Sequence, residues 1–284
     1  MLSLAERREF VKLDSERVKR HDRRRLFRYT PYPKQLEFHA NGKDWRERLL
    51  IAGNQLGKTW SMGFESAMHL TGRYPGPREI FYPTQEQLQA LWNVNPELAV
   101  ALFENLSENK LLGADVYPEG WPGRRFDRAI WMWASSVSGE ATRDNPQKIL
   151  VGPPKVREKW GTGAIPYEDL IGKDGKMHIS MKPGTADAID TILVNHVAGG
   201  QSILQFKTYE QGREKWQGPT LDLVWYDEEP PLDIYMEGLT RTNTTEGPNV
   251  LTFTPLLGMS EVVRLFLGDE EDGALNDELT EVDY

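Results

Sequence analysis

The chain has no cysteine among its 284 residues. This absence excludes disulfide bonds and zinc sites built on cysteine, and it is typical of proteins from a reducing compartment. The sequence also has no apolar run that approaches the roughly 20 residues of a membrane-spanning helix. Residues 1–29 are polar and densely charged, so we expect no secretory signal peptide there. We therefore expect neither a disulfide scaffold nor a membrane protein.

Acidic residues outnumber basic ones, and the net charge is −9. Residues 1–34 hold eleven Lys and Arg against five Asp and Glu, a balance of +6, whereas residues 269–284 hold eight acidic residues and no basic one. The balance of −7 that remains on residues 35–268 argues against a generally basic nucleic-acid-binding protein. Contact with nucleic acid would use a local patch such as the three arginines at positions 23–25, unless these simply form a solvated helix end.

Hydrophobic residues make up 39% of the chain, which is enough for one large core or for a core with a subdomain. We expect a basic, helical lead-in at residues 1–34, a core at residues 35–268 and an acidic linker or tail at residues 269–284.

Hydrophobic periodicity predicts strands that alternate with helices. The predicted strands are residues 48–52, 79–82, 129–134, 149–151, 221–226 and 250–254, and residues 191–197 and 202–207 are predicted to form a hairpin. The predicted helices are residues 3–20, 34–40, 58–70, 85–102, 234–242 and 260–267. This pattern is typical of an α/β fold with a mainly parallel sheet, so ligand-binding loops are expected at the carboxyl ends of the strands.

The strongest motif is a buried strand followed by a tight loop that ends in Gly57, Lys58 and Thr59. In such a loop, backbone N–H groups and the next helix N-terminus bind the phosphates of a nucleoside triphosphate. Lys58 is predicted to reach the β- and γ-phosphates, and the Thr59 hydroxyl to bind Mg²⁺. Ala52 replaces the first glycine of the usual pattern, and Gly53, directly after it, leaves the turn a residue that is free to adopt a positive φ. The predicted phosphate-binding residues are Ala52, Gly53, Asn54, Gln55, Leu56, Gly57, Lys58 and Thr59.

An acidic motif follows the apolar strand predicted at residues 221–226. The strand ends in Asp227, Glu228 and Glu229. In a phosphate-loop NTPase the first such aspartate holds Mg²⁺, and we assign this role to Asp227. The next carboxylate can orient or deprotonate the attacking water, and we assign this catalytic role to Glu228. An acidic turn closed by two prolines is the alternative, but the phosphate loop that precedes it in the chain disfavours it.

Two further segments fit a nucleotide site. Tyr32 can stack on a base, and the Gln35 amide can read an adenine edge with one donor and one acceptor, although ordinary turn packing also explains both residues. Thr252 and Thr254 lie at the end of a predicted strand soon after the carboxylates, so their hydroxyls are candidates for sensing the γ-phosphate. The strand propensity of threonine is the alternative explanation.

These segments together resemble the ATPase domain of the large terminase subunit of tailed bacteriophages. The resemblance rests on AGNQLGKT at residues 52–59, YPKQ at 32–35, WYDEEPP at 225–231 and TFTP at 252–255, supported by QG at 211–212 and WQG at 216–218. It implies an additional-strand P-loop NTPase core with a small lid subdomain that binds ATP and Mg²⁺. It also implies ATP-driven translocation of double-stranded DNA into a procapsid, in the host cell cytoplasm, by a ring (usually a pentamer) on a portal protein. A small terminase subunit is a further implied partner.

The resemblance also carries two departures. Family members continue into a C-terminal nuclease domain, and this sequence stops where that domain would begin, so we expect a truncation in the acidic linker and no nuclease activity. Many members have an arginine directly after the position of Gly53, where this chain has Asn54. Another arginine must then stabilise the charge of the transition state. Arg143 in a polar loop is the first candidate and Arg241 the second, and either can be an ordinary surface arginine.

Three other functions remain open from the sequence. A nucleic-acid helicase shares the Asp-Glu-Glu triplet, but it normally needs a second RecA-like domain for which the chain has no room. A nucleotide-dependent assembly switch would bind ATP tightly with negligible turnover, and a small-molecule kinase would transfer phosphate to an acceptor other than water. The sequence favours an ATPase motor of viral genome packaging over these three.

Overall fold

The computed structural model describes residues 4–53, 56–76, 85–96, 120–255 and 258–268. Its centre is a seven-stranded sheet with the strand order β1-β7-β6-β2-β5-β4-β3. The strands are β1 (Glu47–Ile51), β2 (Trp131–Ser136), β3 (Ile179–Met181), β4 (Ile189–Asn195), β5 (Gln201–Thr208), β6 (Leu223–Asp227) and β7 (Asn249–Phe253). Among the described strands, the first in sequence is therefore paired with the last.

Five strands, from β1 to β5 in the sheet order, run parallel, and β4 and β3 continue the sheet antiparallel. Strand β1 leads into the phosphate loop and β6 carries the acidic motif, yet the two do not pair, because β7 lies between them. This inserted strand is the mark of the additional-strand class, so the predicted α/β core is confirmed. Since β1, β7 and β6 are parallel, their carboxyl ends meet at one edge of the sheet.

Helices cover both faces of this sheet. The described helices are α1 (Leu4–Asp22), α2 (Pro33–Asn41), α3 (Lys58–Thr71), α4 (Gln85–Val94), α5 (Gly139–Thr142), α6 (Lys148–Leu150), α7 (Tyr167–Leu170), α8 (Leu232–Thr242) and α9 (Glu261–Leu267). A π-helical turn, Arg143–Gln147, joins α5 to α6. Helix α3 packs on one face of the sheet, and α8 and α9 pack on the other.

Strand β6 separates two buried apolar clusters. Trp225 belongs to the cluster that contains Met62 and Phe64 of α3, whereas Tyr226 belongs to the cluster that contains Ile234 of α8. All five residues of β6 are buried because helices cover both faces, and this explains why the strand reads as a continuous apolar run. The packing on both sides fixes the end of β6, where the acidic motif begins.

The N-terminal segment is divided between solvent and the core. Helix α1 is exposed from residue 15 to residue 20. Leu26 and Tyr29 are buried, and the Tyr29 ring stacks on Phe64 with 4.5 Å between the ring centroids. The core thus includes residues on the N-terminal side of the boundary expected at position 34. Among the described helices, none is both long enough and apolar enough to cross a bilayer.

Most predicted elements are confirmed to within a few residues. Helix α3 ends before Gly72, whose left-handed φ of 71° is typical of the glycine that ends a helix. The hairpin predicted at residues 191–207 is the antiparallel pair β4 and β5. The strand predicted at residues 79–82, the second half of the helix predicted at 85–102 and the acidic tail lie outside the described residues.

The strand predicted at residues 149–151 is wrong, because these residues end the short helix α6. Leu150 and Val151 are both fully buried. A short apolar run cannot distinguish a buried strand from a buried helix by its pattern alone. Here the π-helical turn that precedes α6 continues the helical backbone into the run.

A buried ionic cluster holds α2, α3 and β1 together. The Glu65 carboxylate of α3 accepts a hydrogen bond of 3.2 Å from Arg48 of β1, and it lies 2.6 Å from Nδ1 of His39 in α2. Arg48 also donates a 2.9 Å hydrogen bond to the carbonyl of Phe38 in α2. Burial raises the pKa of Glu65, but Arg48, His39 and His69 outweigh this effect and hold the pKa well below its usual range. The cluster therefore fixes α2 against the helix that follows the phosphate loop.

Candidate functional site

The phosphate loop runs from the carboxyl end of β1 to Gly57, directly before α3. Gly57 has a φ of 81°, and an added Cβ would lie 2.8 Å from Nε2 of Gln35, so a side chain at this position would be strained. Gly53 does not adopt a positive φ, and among the described residues of the loop the left-handed one is Gly57. Asn54 and Gln55 lie outside the described residues, and Leu56 is largely exposed.

The ammonium of Lys58 lies inside this loop. Its Nζ donates hydrogen bonds to the carbonyls of Ala52 at 2.7 Å and Gly53 at 2.8 Å, and to the hydroxyl of Thr254 at 3.0 Å. Burial lowers the pKa of Lys58, whereas both carboxylates at positions 227 and 228 raise it. The structure thus brings Lys58 to the acidic motif at the end of β6.

Asp227 ends β6 and is 1% exposed. Its Oδ1 accepts a 3.2 Å hydrogen bond from Thr252 on β7, while its Oδ2 is buried with no hydrogen-bond partner in the part of the chain that the structure describes. Burial raises the pKa of Asp227 to about 7, and the charge of Glu228 adds to the rise. The hydroxyl of Thr59, at the start of α3, lowers the pKa of Asp227. The ionised form of Asp227 is therefore disfavoured by its burial, and the carboxylate lies beside the phosphate loop.

Glu228 has an unusual backbone conformation, with a φ of 75° that non-glycine residues rarely adopt. Its N–H donates a 3.0 Å hydrogen bond to the carbonyl of Thr252. Its own carbonyl accepts a 2.7 Å hydrogen bond from the hydroxyl of Tyr209. The Glu228 carboxylate affects the pKa values of both Lys58 and Asp227, so these three side chains share one site.

The residues at this edge fit a magnesium ion. Mg²⁺ takes oxygen ligands and is usually held by one or two carboxylates together with substrate phosphates. Asp227 offers its buried Oδ2, and the Thr59 hydroxyl interacts with the same carboxylate. Within the described ranges, no group of three or more His, Cys, Asp or Glu residues could hold a metal by itself. A magnesium site that substrate phosphates complete is therefore the type that fits.

A cavity of about 320 Å³ opens beside the phosphate loop, and its walls include Tyr32, Gln35, Phe38, Leu56 and Lys58. Gln35 is buried; its Nε2 donates a 3.2 Å hydrogen bond to the carbonyl of Gly57, and its Oε1 accepts one of 3.0 Å from the N–H of Tyr32. The Tyr32 side chain is 69% exposed. The structure therefore brings both predicted base-binding residues to an apolar cavity that a nucleobase can enter.

The two threonines of the β7 segment have different partners. Thr252 is buried, and its hydroxyl accepts a 2.8 Å hydrogen bond from Nε1 of Trp225 and donates to Asp227. The Thr254 hydroxyl donates a 2.9 Å hydrogen bond to the carbonyl of Ala52 and contacts Lys58. Thr254 thus faces the phosphate loop, whereas Thr252 supports the carboxylate of β6.

Arg143 begins the π-helical turn after β2, at the same edge of the sheet as the acidic motif. Its guanidinium is largely buried and donates two hydrogen bonds of 2.9 Å to Asp144 and one of 3.1 Å to the carbonyl of Ala186. Arg143 is therefore held by its own segment and by the loop between β3 and β4.

Arg241 lies at the opposite edge of the sheet. Its carbonyl accepts a 2.9 Å hydrogen bond from the N–H of Leu221, which precedes β6. The six residue-to-residue steps from Leu221 to Asp227 span about 20 Å of extended chain. Arg241 therefore does not reach the Asp227 site within its own chain.

Tyr209 is the site residue that sequence reasoning missed. It is buried, and its hydroxyl donates to the carbonyls of both Asp227 and Glu228. Its nearest sequence signal is the Gln211 and Gly212 pair, which supported the family resemblance without pointing to a role. The contact joins residues from different strands, so pattern and spacing do not show it.

The phosphate loop, the inserted strand and the carboxylates at the end of β6 define a P-loop NTPase of the additional-strand class. A family model described as "Terminase large subunit, T4likevirus-type, N-terminal" matches residues 49–106 and 155–279, which is more than half of the chain. The chain belongs to this family of terminase large subunits, as the sequence predicted.

Two curated relatives match nearly the whole chain. The terminase large subunit of Salmonella phage P22 is 38% identical over 271 residues, covering 94% of this chain and 47% of the relative. The terminase large subunit of Enterobacteria phage LP7 is 26% identical over 272 residues, covering 94% of this chain and 48% of the relative. The chain spans about half the length of these relatives.

Solved structures of the same kind are more distant. The large terminase ATPase domain of Thermus phage P74-26 is 14% identical, with a TM-score of 0.47 over 86% of this chain and 71% of that one. The HK97 bacteriophage large terminase is 11% identical, with a TM-score of 0.42 over 80% of this chain and 33% of that one. The family assignment rests on the sequence matches, and the fold assignment rests on the strand order described above.

Proposed function

We propose that this chain hydrolyses ATP as the motor part of a machine that packages double-stranded viral DNA into a procapsid. The observation that carries the proposal is the link that the β7 segment makes between the two motifs. Thr254 accepts a hydrogen bond from Lys58, and Thr252 bonds both the Asp227 carboxylate and the Glu228 N–H. Membership of the terminase large-subunit family supports the packaging role. We propose the parts as a lead-in at residues 1–34, an ATPase core at residues 35–268 and a linker at residues 269–284.

Binding of the triphosphate is assigned to the phosphate loop, residues 52–59. Lys58 would exchange the carbonyls of Ala52 and Gly53 for the β- and γ-phosphate oxygens, a stronger, charge-assisted interaction. The N-terminus of α3 adds its positive dipole to the same phosphates. The adenine would enter the cavity next to the loop, where Gln35 offers its amide and Tyr32 its ring.

Mg²⁺, held by the Thr59 hydroxyl and by Asp227 directly or through water, would neutralise charge on the β- and γ-phosphates. Thr252 keeps the Asp227 carboxylate oriented through its hydrogen bond to Oδ1. Ionisation of Asp227 is favoured once positive charge lies next to it, because its high pKa results mainly from burial.

Hydrolysis is assigned to a water molecule that Glu228 orients and deprotonates. The water oxygen attacks the γ-phosphorus, the bond to the bridging oxygen breaks, and ADP and inorganic phosphate leave. Lys58 compensates the negative charge that develops during this transfer. Thr254 contacts both Lys58 and Ala52. We assign to it a change of contacts when the γ-phosphate is lost, and the transmission of this change to β7.

Arg143 is our candidate for the arginine that stabilises transition-state charge. It begins a π-helical turn, a distortion that often occurs at functional sites, and it follows the carboxyl end of β2. For this role its guanidinium must leave Asp144 and Ala186, in the same subunit or toward a neighbouring one in a ring. An Arg143→Ala protein that hydrolyses ATP normally on procapsids would remove this assignment.

DNA contact is assigned to a basic surface cavity formed by the lead-in segment and α3. It has a volume of about 360 Å³ and is lined by Arg25, Arg28, Thr30 and Trp60, among others. Arg23 packs on the Tyr167 ring and Arg24 pairs with Glu168, so of the three arginines at positions 23–25 it is Arg25 that faces the cavity. A portal protein, a small terminase subunit and other copies of this chain in a ring are the further proposed partners, in the host cytoplasm.

The test is release of inorganic phosphate from Mg-ATP. We expect Lys58→Ala and Glu228→Gln to reduce turnover by about 100-fold or more, whereas Glu229→Gln, the matched neighbour, retains most activity. In a packaging reaction with procapsids and DNA, the same two variants should fail to protect DNA from nuclease. If Glu228→Gln hydrolyses ATP like the unaltered protein, Glu228 is not the general base. Tight nucleotide binding with negligible turnover would instead indicate an assembly switch.

A further inference from the structure

Tyr209 connects two strand ends that are not neighbours in the sheet. It follows β5, and its hydroxyl reaches across the end of β2 to the end of β6. There it donates a 2.7 Å hydrogen bond to the carbonyl of Glu228 and a longer one, 3.3 Å, to the carbonyl of Asp227. One buried hydroxyl therefore holds the backbone of both residues of the acidic motif.

The backbone that Tyr209 holds is strained. Glu228 has a φ of 75°, in the left-handed region where a residue with a Cβ is disfavoured. Its N–H bonds the carbonyl of Thr252 on one side, and its carbonyl meets Tyr209 on the other. A strained conformation persists only where surrounding contacts determine it, and these two hydrogen bonds are such contacts.

The ring of Tyr209 is fixed by its own surroundings. It lies in the buried cluster with Trp216 and Tyr226, with ring centroids 6.1 Å and 6.5 Å away. Its hydroxyl is a neutral donor, as a phenol is at neutral pH, and its two acceptors are backbone carbonyls of the acidic motif. The site therefore has a rigid neutral donor aimed at the backbone of its catalytic segment.

We propose that Tyr209 is a positioning residue that holds the Glu228 backbone in its left-handed conformation and so aims the Glu228 carboxylate at the attacking water. This inference rests on the proposed ATPase function. In this role Tyr209 acts through Glu228, whose backbone carbonyl it holds. Loss of the hydroxyl should therefore slow the chemical step and leave nucleotide binding intact.

The experiment compares Tyr209→Phe with Tyr226→Phe. Each change removes one hydroxyl from the same buried aromatic cluster, but the Tyr226 hydroxyl bonds Tyr235 and Asn249, away from the acidic motif. We expect Tyr209→Phe to lower kcat by about tenfold, the effect of one well-placed hydrogen bond. The KM for ATP and the Kd of a non-hydrolysable ATP analogue with Mg²⁺ should change less than about twofold, and Tyr226→Phe should keep its kcat.

A second measurement distinguishes an effect on the position of the Glu228 carboxylate from a general loss of structure. In the Glu228→Gln background, single-turnover hydrolysis should show no further loss when Tyr209→Phe is added, because the carboxylate through which Tyr209 acts is already absent. Equal kcat values for the two tyrosine variants overturn the inference, as does a Tyr209→Phe protein that loses analogue binding or unfolds where Tyr226→Phe does not. If the unaltered protein itself does not hydrolyse ATP, the proposed function fails instead, and phosphate release from that protein distinguishes the two cases.

Discussion

The ammonium of Lys58 donates a 3.0 Å hydrogen bond to the hydroxyl of Thr254, although the two residues are 196 positions apart in the sequence. The contact exists because β7 lies directly beside β1, so the segment after β7 meets the phosphate loop. Thr254 also bonds the carbonyl of Ala52 at 2.9 Å, which fastens both ends of the loop to the same hydroxyl. The strand that defines the class of this fold thus leads directly into the residue that contacts the lysine.

Replacement of Thr254 by valine should impair hydrolysis more than binding. The change preserves shape but removes the hydroxyl that holds Lys58 and Ala52. We expect kcat to fall by about tenfold, with a smaller change in the affinity for Mg-ATP. Phosphate release and analogue binding measure the two effects. Thr240→Val, on the exposed side of α8, is the matched control, and an equal effect of both changes would contradict the role of Thr254.

Replacement of Gln35 by alanine should weaken ATP binding. Gln35 is buried at the cavity beside the phosphate loop and hydrogen-bonds the carbonyl of Gly57. The loss of its amide removes the predicted contacts with the base, each worth about 1 kcal/mol, so KM should rise by about 5- to 30-fold while kcat changes little. Steady-state kinetics with ATP test this, with the exposed Lys43→Ala as control. An unchanged KM would mean that the base binds elsewhere.

Asp227→Asn should stabilise the protein in magnesium-free buffer. The folded state raises the pKa of Asp227 to about 7, so between about pH 4 and pH 7 it binds more protons than the unfolded chain, and stability falls as pH rises through this window. The asparagine removes this cost. We expect the free energy of unfolding at pH 8 to rise by about 2–4 kcal/mol, and to change little at pH 4. Urea denaturation measures the free energy of unfolding, with the exposed Asp44→Asn as control. A loss of stability of Asp227→Asn at pH 8 would contradict a destabilising role of the buried carboxylate.

Glu65→Gln should destabilise the folded protein. The pKa of Glu65 is held below its usual range, so its charge stabilises the folded state above about pH 4.5 and this contribution is lost as pH falls further. The variant leaves Arg48 buried without its carboxylate, and we expect a loss of about 3–5 kcal/mol at pH 7. Urea unfolding at pH 7 and at pH 3 tests this. The exposed Glu158→Gln should show no such loss, and a loss for Glu65→Gln that is no smaller at pH 3 than at pH 7 would be inconsistent with an ionised Glu65 in the folded state.

Removal of both cavity arginines should weaken DNA binding in a salt-dependent way. Arg25 and Arg28 line the basic cavity beside Trp60. If each neutralises one phosphate, Arg25→Ala with Arg28→Ala should reduce the slope of log K against log salt by about 2. Fluorescence anisotropy with a double-stranded oligonucleotide measures the slope. The control removes two exposed lysines, Lys155→Ala with Lys159→Ala, and the same slope in both double variants would place the DNA elsewhere.

The sequence predicted most residues of this site, and the predictions that were wrong have a common cause. The apolar runs before Lys58 and before Asp227 predict buried strands, because both faces of such strands are covered. One strand leads into the phosphate loop and the other into the acidic motif. The sequence offers Gly53 for a positive φ, whereas Gly57 adopts one, and no local pattern shows the contact of Gln35 with Gly57. Residues 149–151 were read as a strand because a short buried run has no distinctive period.

By itself, the sequence determined that a phosphate loop and an acidic motif lie at strand ends, since each is a local pattern of a few residues. Only the tertiary structure decided that β7 separates the two strands, that Thr254 meets Lys58 and that Tyr209 holds Glu228. These contacts depend on the order of strands in the sheet, and that order is set by long-range packing of side chains that no local pattern records.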